Sequence, residues 1–555
     1  MSSAWYDASS ASPRGSARKT VKGRLVSIGN KFIKNSFFNV GGWLWLTIIS
    51  VATVPYIVNK LGYDAYGILS LVFMVLGYFA FMDLGLGEAV IKYVSHYYAL
   101  KNFEKMNRIL SSILFLFILT GAVGGLGILV FTEFFAIRLF KIPLHLVDDT
   151  RFCFLLSSLG FALIMILGVL SRIPEAVQRF DISNRNNVIT GTLVSVGNVA
   201  LLAIGLGLKE VVVLNLLSEI LAIFLFYRSS KRLIPELRFS FRFYRAEFRE
   251  VIGFGLSTIF IKFSSVITGT VNQLILGVVI GPAGVAIFNV PFKIISRFNS
   301  FIYRIAFVIF PVSSELHATE DTEKLHRSYF RLSKYVFLLS TILFLPLAAF
   351  SVEILRYWMG ADFAAKGALV MLYCSVAFYF ISFTMVPSLV ALGMGKAGFN
   401  AVFASMTAGI NLVLVYPFTK YWGVNGAAAA LLVSSLPFPI YIYFVNRNII
   451  NVDTGQYFKM VFGRMVFVGL IFVAVVGFFV TKLATSVYWF LFLTLASYIV
   501  ISLLAYFLGL DGEERHMIWA RLADIKATVG GLEGEHPDRE PEGPHMPLRA
   551  GIRGD

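Results

Sequence analysis

The chain has 555 residues, 57% of them hydrophobic and only 14% charged, with a formal net charge of +16. So apolar a chain cannot hide its side chains inside soluble domains of ordinary surface-to-volume ratio, which excludes water as its main solvent. Its basic residues lie mostly in short segments between apolar runs; this is a membrane-topology pattern, and it sets nucleic-acid binding aside.

Residues 1–35 form a polar, Ser-rich, basic segment placed in the cytoplasm. No cleavable signal peptide is expected, because the first apolar run is long enough to span and stays as a helix. Six spans follow, over roughly 36–59, 64–91, 109–132, 152–171, 187–208 and 210–227. The run from Ile113 to Phe131 carries no charge and only Thr120 as a polar side chain, which rules out the alternation of a barrel strand. Residues 228–250 then hold seven cations, Arg228, Lys231, Arg232, Arg238, Arg242, Arg245 and Arg249, interleaved with Phe239, Phe241, Phe243 and Phe248. This is expected to be an amphipathic cytoplasmic linker lying on headgroups, where each cation contributes about 1 kcal/mol.

Eight further spans are expected over roughly 251–280, 284–314, 335–355, 367–392, 398–419, 424–445, 465–481 and 485–510, and a mostly disordered cytoplasmic tail over 511–555. With both termini inside, cytoplasmic segments carry 35 of the 48 Lys and Arg, the opposite side nine and the spans four, as the positive-inside rule requires. Cys153 and Cys374 sit in apolar runs and read as small hydrophobes, with no disulfide framework.

The two sides of the linker echo each other. Leu61-Gly62-Tyr63-Asp64-Ala65-Tyr66-Gly67 aligns with Ile280-Gly281-Pro282-Ala283-Gly284-Val285-Ala286, and Asn187 with Gly197-Asn198 echoes Asn400 with Gly409-Ile410-Asn411. The expected fold is therefore an all-α integral membrane protein of 14 transmembrane helices. It has two six-helix lobes, 36–227 and 251–445, related as parallel repeats, with two appended helices in 446–510.

Two stretches carry a family likeness. One runs from Pro55-Tyr56-Ile57-Val58-Asn59-Lys60-Leu61-Gly62 through Tyr66-Gly67 to Asp83-Leu84-Gly85-Leu86-Gly87. The other runs from Ile275-Leu276-Gly277 through Gly281 and Gly284 to Phe310-Pro311. The chain resembles, over about residues 30–510, the O-antigen type polysaccharide flippases of the multidrug/oligosaccharidyl-lipid/polysaccharide (MOP) exporter superfamily. The resemblance implies a V-shaped pair of lobes in the cytoplasmic (inner) membrane, working by alternating access on a polyprenyl-diphosphate-linked oligosaccharide for cell-surface polysaccharide. It also implies contact with membrane lipids and with the polymerase or glycosyltransferases that handle the same sugars. The chain departs from the pattern at Asn272-Gln273, where many relatives carry an acidic residue before Ile-Leu-Gly.

Four cations fall inside expected spans: Lys262, Lys293, Arg297 and Arg304. At roughly 2.5–3.5 kcal/mol each on insertion scales, they cost on the order of 10 kcal/mol together if left in lipid. Lys293, Arg297 and Arg304 lie within roughly 40° of one another on a helix, with Asn289 and Ser300 flanking; Lys262 shares a face with Gln273. Lys262, Lys293, Arg297, Arg304, Asn289 and Gln273 are thus the candidate substrate-cavity residues, with Arg gripping phosphate oxygens bidentately and Lys acting as a point charge. The opposing reading has these cations snorkelling, or paired with Asp83 or Glu219.

Asp83, Glu88 and Glu219 are candidate charge partners or ion-coupling groups, compatible with a proton or sodium gradient; Glu88 precedes Lys92 by four residues, the favourable order for an intrahelical pair. Arg172, Glu175 and Arg179 around Pro174 read as a solvated loop end. No catalytic residue, cofactor or metal cluster is expected, and no phosphate-cradling loop ending in Gly-Lys-Ser/Thr occurs. Two alternatives stand beside the flippase reading. One is an ion-coupled multidrug antiporter of the same superfamily. The other is a membrane-embedded polysaccharide polymerase or glycosyltransferase, against which the short outside segments, the longest roughly 133–151, count.

Overall fold

The computed structural model describes residues 14–79, 86–132, 137–240, 270–463 and 487–504, with a few isolated positions besides; side chains in the first range are described from residue 41. The expected span 465–481, the tail, Asp83 and Lys262 lie outside the described residues. Among those described, nine helices are long and apolar enough to cross a membrane, so the chain is an all-helical, multi-pass membrane protein.

The first helix, α1 (Arg14–Phe79), reaches far back into the segment expected to be a polar tail. It is broken at Gly62, whose φ of 80° and ψ of 166° no L side chain adopts without strain. α2 (Leu86–Ala99) and α3 (Phe103–Phe131) follow, the latter capped by the Asn102 side chain, which accepts from Lys105 N at 3.1 Å. Next come α4 (Val147–Ala176), α5 (Phe180–Ala203) and α6 (Leu208–Leu233). α4 packs against α3 and α6, while α1 packs against α5. Gly42 makes that last approach possible, because a Cβ there would fall on the Asn184 side chain.

In the second half, α7 (Thr270–Val279) leads to a turn at Gly281, with φ 106° and ψ −172°, and then to α8 (Pro282–Ala306). The span expected over 284–314 is interrupted at Phe307–Val308 and resumes as α9 (Ile309–Ala318). α10 (Thr322–Ala349), a separate short α11 (Ser351–Met359), α12 (Ala361–Phe383) and α13 (Met385–Gly393) follow. α14 (Ala397–Ser435) breaks at Gly423 and joins two expected spans; α15 (Phe438–Val445), α16 (Thr454–Val461) and α17 (Val487–Leu504) complete the described chain.

Buried apolar residues from Ile57 to Ile501 form one contiguous cluster. Around it Leu126, Leu217, Val402, Val413 and Leu495 are left exposed, a surface that suits acyl chains and not water. The linker is more constrained than a strip on headgroups. Asn107 donates to Glu236 O at 2.9 Å and accepts from Arg238 N, while Ser111 and Ser112 accept from Ser240 N and Tyr244 N. Its described backbone is thereby bonded to the first turns of α3, which satisfies groups that periodicity alone left to solvent.

Candidate functional site between the two halves

The two halves meet where the chain reverses at Gly62 and Gly281. Gly67 lies so close to Pro282 that a Cβ would overlap its backbone, and a Cβ on Gly277 would crowd the side chains of Leu71 and Phe140. Tyr63 Oη donates to Asp362 Oδ2 at 2.7 Å, Lys366 Nζ reaches the same oxygen at 2.8 Å, and Lys141 Nζ donates to Val279 O at 2.6 Å.

A further bond has a specific cause. Pro55 lacks an N–H, so Val51 O loses its intrahelical partner; Trp358 Nε1, on α11, donates to that oxygen at 2.9 Å. Proline's missing donor in α1 is thus replaced from the other half.

The basic seam begins just beyond these contacts. Lys293 Nζ lies 3.5 Å from Tyr66 Oη and 5.4 Å from the centroid of its ring, so the Lys293 face of α8 is turned toward α1. Lys293, Arg297 and Arg304 are all exposed. Among the described residues neither Arg297 nor Arg304 has a carboxylate within ion-pair distance. Beside the seam, Phe301 stacks on Trp43 of α1 at 5.6 Å, while the opposite face is packed through Ile295 and Ile302.

The remaining candidates separate. Asn289, expected to line the cavity, is 2% exposed and its Oδ1 has no hydrogen-bond partner among the described residues; one turn nearer Gly281 than Lys293, it sits within the packed part of α8. Gln273 is half-buried and its neighbour Asn272 is buried. Glu88 is half-buried on α2, and Lys92 stands 4.9 Å from the Tyr93 ring. Arg172 and Glu175 pair at 2.9 Å, as do Arg179 and Asp181, in the manner of a loop end. Glu219 pairs with no described cation, and its Oε2 is buried without a hydrogen bond. Sequence reasoning missed Tyr66, Trp358 and the Asp362–Lys366 pair; only the Tyr66-Gly67 dipeptide, inside the repeated motif, carried a signal.

The family described as "Polysaccharide biosynthesis protein" matches residues 32–317, just over half of the chain. The chain belongs to that family. Among curated proteins it is 20% identical over 398 residues to the "Putative O-antigen transporter" of Shigella flexneri, covering 71% of this chain and 93% of that one. It is 24% identical over 434 residues to the "Uncharacterized membrane protein EpsK" of Bacillus subtilis, covering 74% and 83%. Among solved structures, the lipid II flippase MurJ in an inward closed conformation superposes with a TM-score of 0.68 at 15% identity, covering 85% of this chain and 98% of that one. An inward-facing multidrug resistance MATE transporter of the MOP superfamily does so with a TM-score of 0.61 at 15% identity, covering 75% and 94%.

The structural likenesses give this polysaccharide biosynthesis protein a MOP-type fold. Within the family member described here, the exposed cations of α8 stand at the junction of the two halves.

Proposed function

We propose that the protein carries a polyprenyl-diphosphate-linked oligosaccharide across the cytoplasmic membrane by alternating access, with the seam Lys293, Arg297 and Arg304 holding the diphosphate. The observation that carries this reading is the pair of exposed arginines that lack a carboxylate among the described residues, on the face of α8 that Lys293 turns toward Tyr66. Cations left without protein counter-charge inside a membrane suit a route for an anion. Arg presents a planar fork to phosphate oxygens and Lys a point charge.

Two parallel six-helix lobes provide the machinery. The turns at Gly62 and Gly281 share positive φ and extended ψ at aligned positions, which supports the repeat. Placing the amino terminus in the cytoplasm, as the distribution of basic residues favours, puts the Tyr63–Asp362 contact on the outer face, so that this conformation is sealed outward.

The test is flipping of a diphosphate-linked oligosaccharide by purified protein in proteoliposomes. Charge-assisted hydrogen bonds are worth about 1.5–3 kcal/mol each, so Lys293→Ala with Arg297→Ala is expected to lower the rate by roughly 100-fold or more at 1.4 kcal/mol per decade. Normal flipping by that double variant refutes the assignment. Elongation of the sugar by purified protein would instead indicate an enzyme.

A further inference from the structure

Glu219 stands apart from the seam, near the middle of α6 and with no described cation within ion-pair distance, where an ionised carboxylate is costly unless it is hydrated or paired. Its Oε2 is enclosed and makes no hydrogen bond. Beside it is a cavity of about 20 Å³ bounded by Leu69, Val72, Phe73 and Leu76 of α1, by Leu156, Ser157 and Gly160 of α4, and by Asn215 and Leu216 of α6. A Cβ on Gly160 would lie 3.1 Å from Oε2, so glycine keeps the carboxyl group against the α4 backbone.

The walls define what the site can take. A space of this size holds about one water molecule, which needs two to four polar partners. The Glu219 carboxyl, the Ser157 hydroxyl, which donates to Cys153 O at 2.6 Å, and the Asn215 side chain, which donates to Val211 O at 2.7 Å, are the polar groups present. No second carboxylate and no cation line it. On α6 the nearest charges, Glu210 and Arg228, are nine residues away in either direction, about 13 Å along the axis. On α4 the charged residues Asp148, Asp149, Arg151, Arg172 and Glu175 lie toward the helix ends, with the thiol of Cys153 one turn from Ser157; on the α1 segment after Gly62 only Asp64 is charged, and Tyr63 and Tyr66 precede the cavity. One carboxylate with two neutral side chains is too sparse for sodium but sufficient for a proton and a water.

The cavity is joined to the interface. Leu69 to Leu76 continue directly from Tyr66 and Gly67, which touch Lys293 and Pro282 of the other half. Resting on the reading of the chain as an alternating-access transporter, we propose that Glu219 is its proton-coupling site. The carboxyl group is protonated while the Tyr63–Asp362 end is closed. Loss of the proton to water leaves a carboxylate that must be hydrated, and hydration widens the gap between α1, α4 and α6 and shifts Tyr66 and Gly67 against α8.

Two measurements on the full-length protein in nanodiscs test this without substrate. Infrared difference spectra across a pH titration should show a protonated-carboxyl carbonyl band that Glu219→Gln removes. Spin labels at Lys60→Cys and Tyr421→Cys, both exposed, should report a pH-dependent separation that becomes pH-independent in Glu219→Gln, with the native Cys153 and Cys374 buried from the label. In proteoliposomes, Glu219→Gln should make flipping equal with and without a pH gradient. A band that survives Glu219→Gln, or a separation that follows sodium and not pH, overturns the proposal. Intact pH responses without any flipping would sink the flippase reading and leave the proton site standing.

Discussion

Tyr63 and Asp362 are 299 residues apart, and the Tyr63 hydroxyl donates to Asp362 Oδ2 at 2.7 Å while Lys366 holds the same carboxylate oxygen. The Phe363 ring packs against Tyr63 at 5.8 Å, tilted by 58°, and the Lys366 ammonium lies 5.0 Å from the Tyr63 ring. The contact fastens the first helix of one half to α12 of the other. Cysteines at Tyr63 and Asp362 joined by a cleavable bifunctional thiol reagent are expected to stop transport, with recovery on cleavage. Transport that continues through an intact cross-link would show that this end does not open.

Gly67 probes the same interface without touching a polar group. Gly67→Ala drives a methyl group into the Pro282 backbone, so it should separate the halves and raise solvent access at Tyr63, measured by thiol labelling of Tyr63→Cys. Gly62→Ala meets open space and should lower stability through backbone strain alone, by about 1–3 kcal/mol, read as a shift in thermal unfolding.

Trp358→Phe leaves the half-buried Val51 O without its donor, at a cost of about 1 kcal/mol for the lost hydrogen bond. Pro55→Ala restores an N–H able to reach that oxygen within the helix. Thermal unfolding of the two single variants and the double variant should therefore show Trp358→Phe costing less when Ala occupies position 55; equal costs in both backgrounds would contradict the pairing.

Asp321 caps α10, its side chain accepting from Lys324 N at 3.2 Å and from Lys324 Nζ at 2.6 Å. The Lys324 bonds hold its carboxyl below the usual carboxylate range. Its folded value lies below its unfolded one, so the cap contributes fully above the ordinary range and weakens as pH falls through the folded value. Hydrogen exchange at the first turn of α10, corrected for intrinsic rates, should quicken in acid in the native chain, whereas Asp321→Asn should show no such acid step.

Apolar run length made the spans legible, because one-dimensional hydropathy is what the bilayer reads. Helix breaks were less so: Phe307–Val308 interrupts a run whose composition does not change, and α1 extends to Arg14 through a basic, Ser- and Gly-containing stretch too polar to read as part of a span. The seam could be drawn on a helical wheel because Lys293, Arg297 and Arg304 share one helix. Its orientation could not, since that depends on Tyr66, 227 residues away in the other half. Asn289 shows the same limit, as periodicity assigns a face but not the depth at which neighbouring helices close over it. The linker bonds to Asn107, Ser111 and Ser112 were equally invisible, being set by tertiary proximity and not by local pattern.

The seam's chemistry predicts a hierarchy. Arg297→Lys keeps the charge but loses the bidentate fork and should retain part of the transport rate, whereas Arg297→Gln should lose roughly tenfold or more, from a charged hydrogen bond worth about 1.5–3 kcal/mol. Equal rates for the two variants would mean that shape and not charge matters at this position.

The orientation of Arg297 is measured most directly by thiol accessibility. With Cys153 and Cys374 buried, Arg297→Cys in membranes should react rapidly with a charged, membrane-impermeant methanethiosulfonate reagent, and Leu126→Cys on the exposed apolar face of α3 should not. A slow Arg297→Cys reaction, matching that of Leu126→Cys, would place the position against lipid and contradict the aqueous route between the two halves.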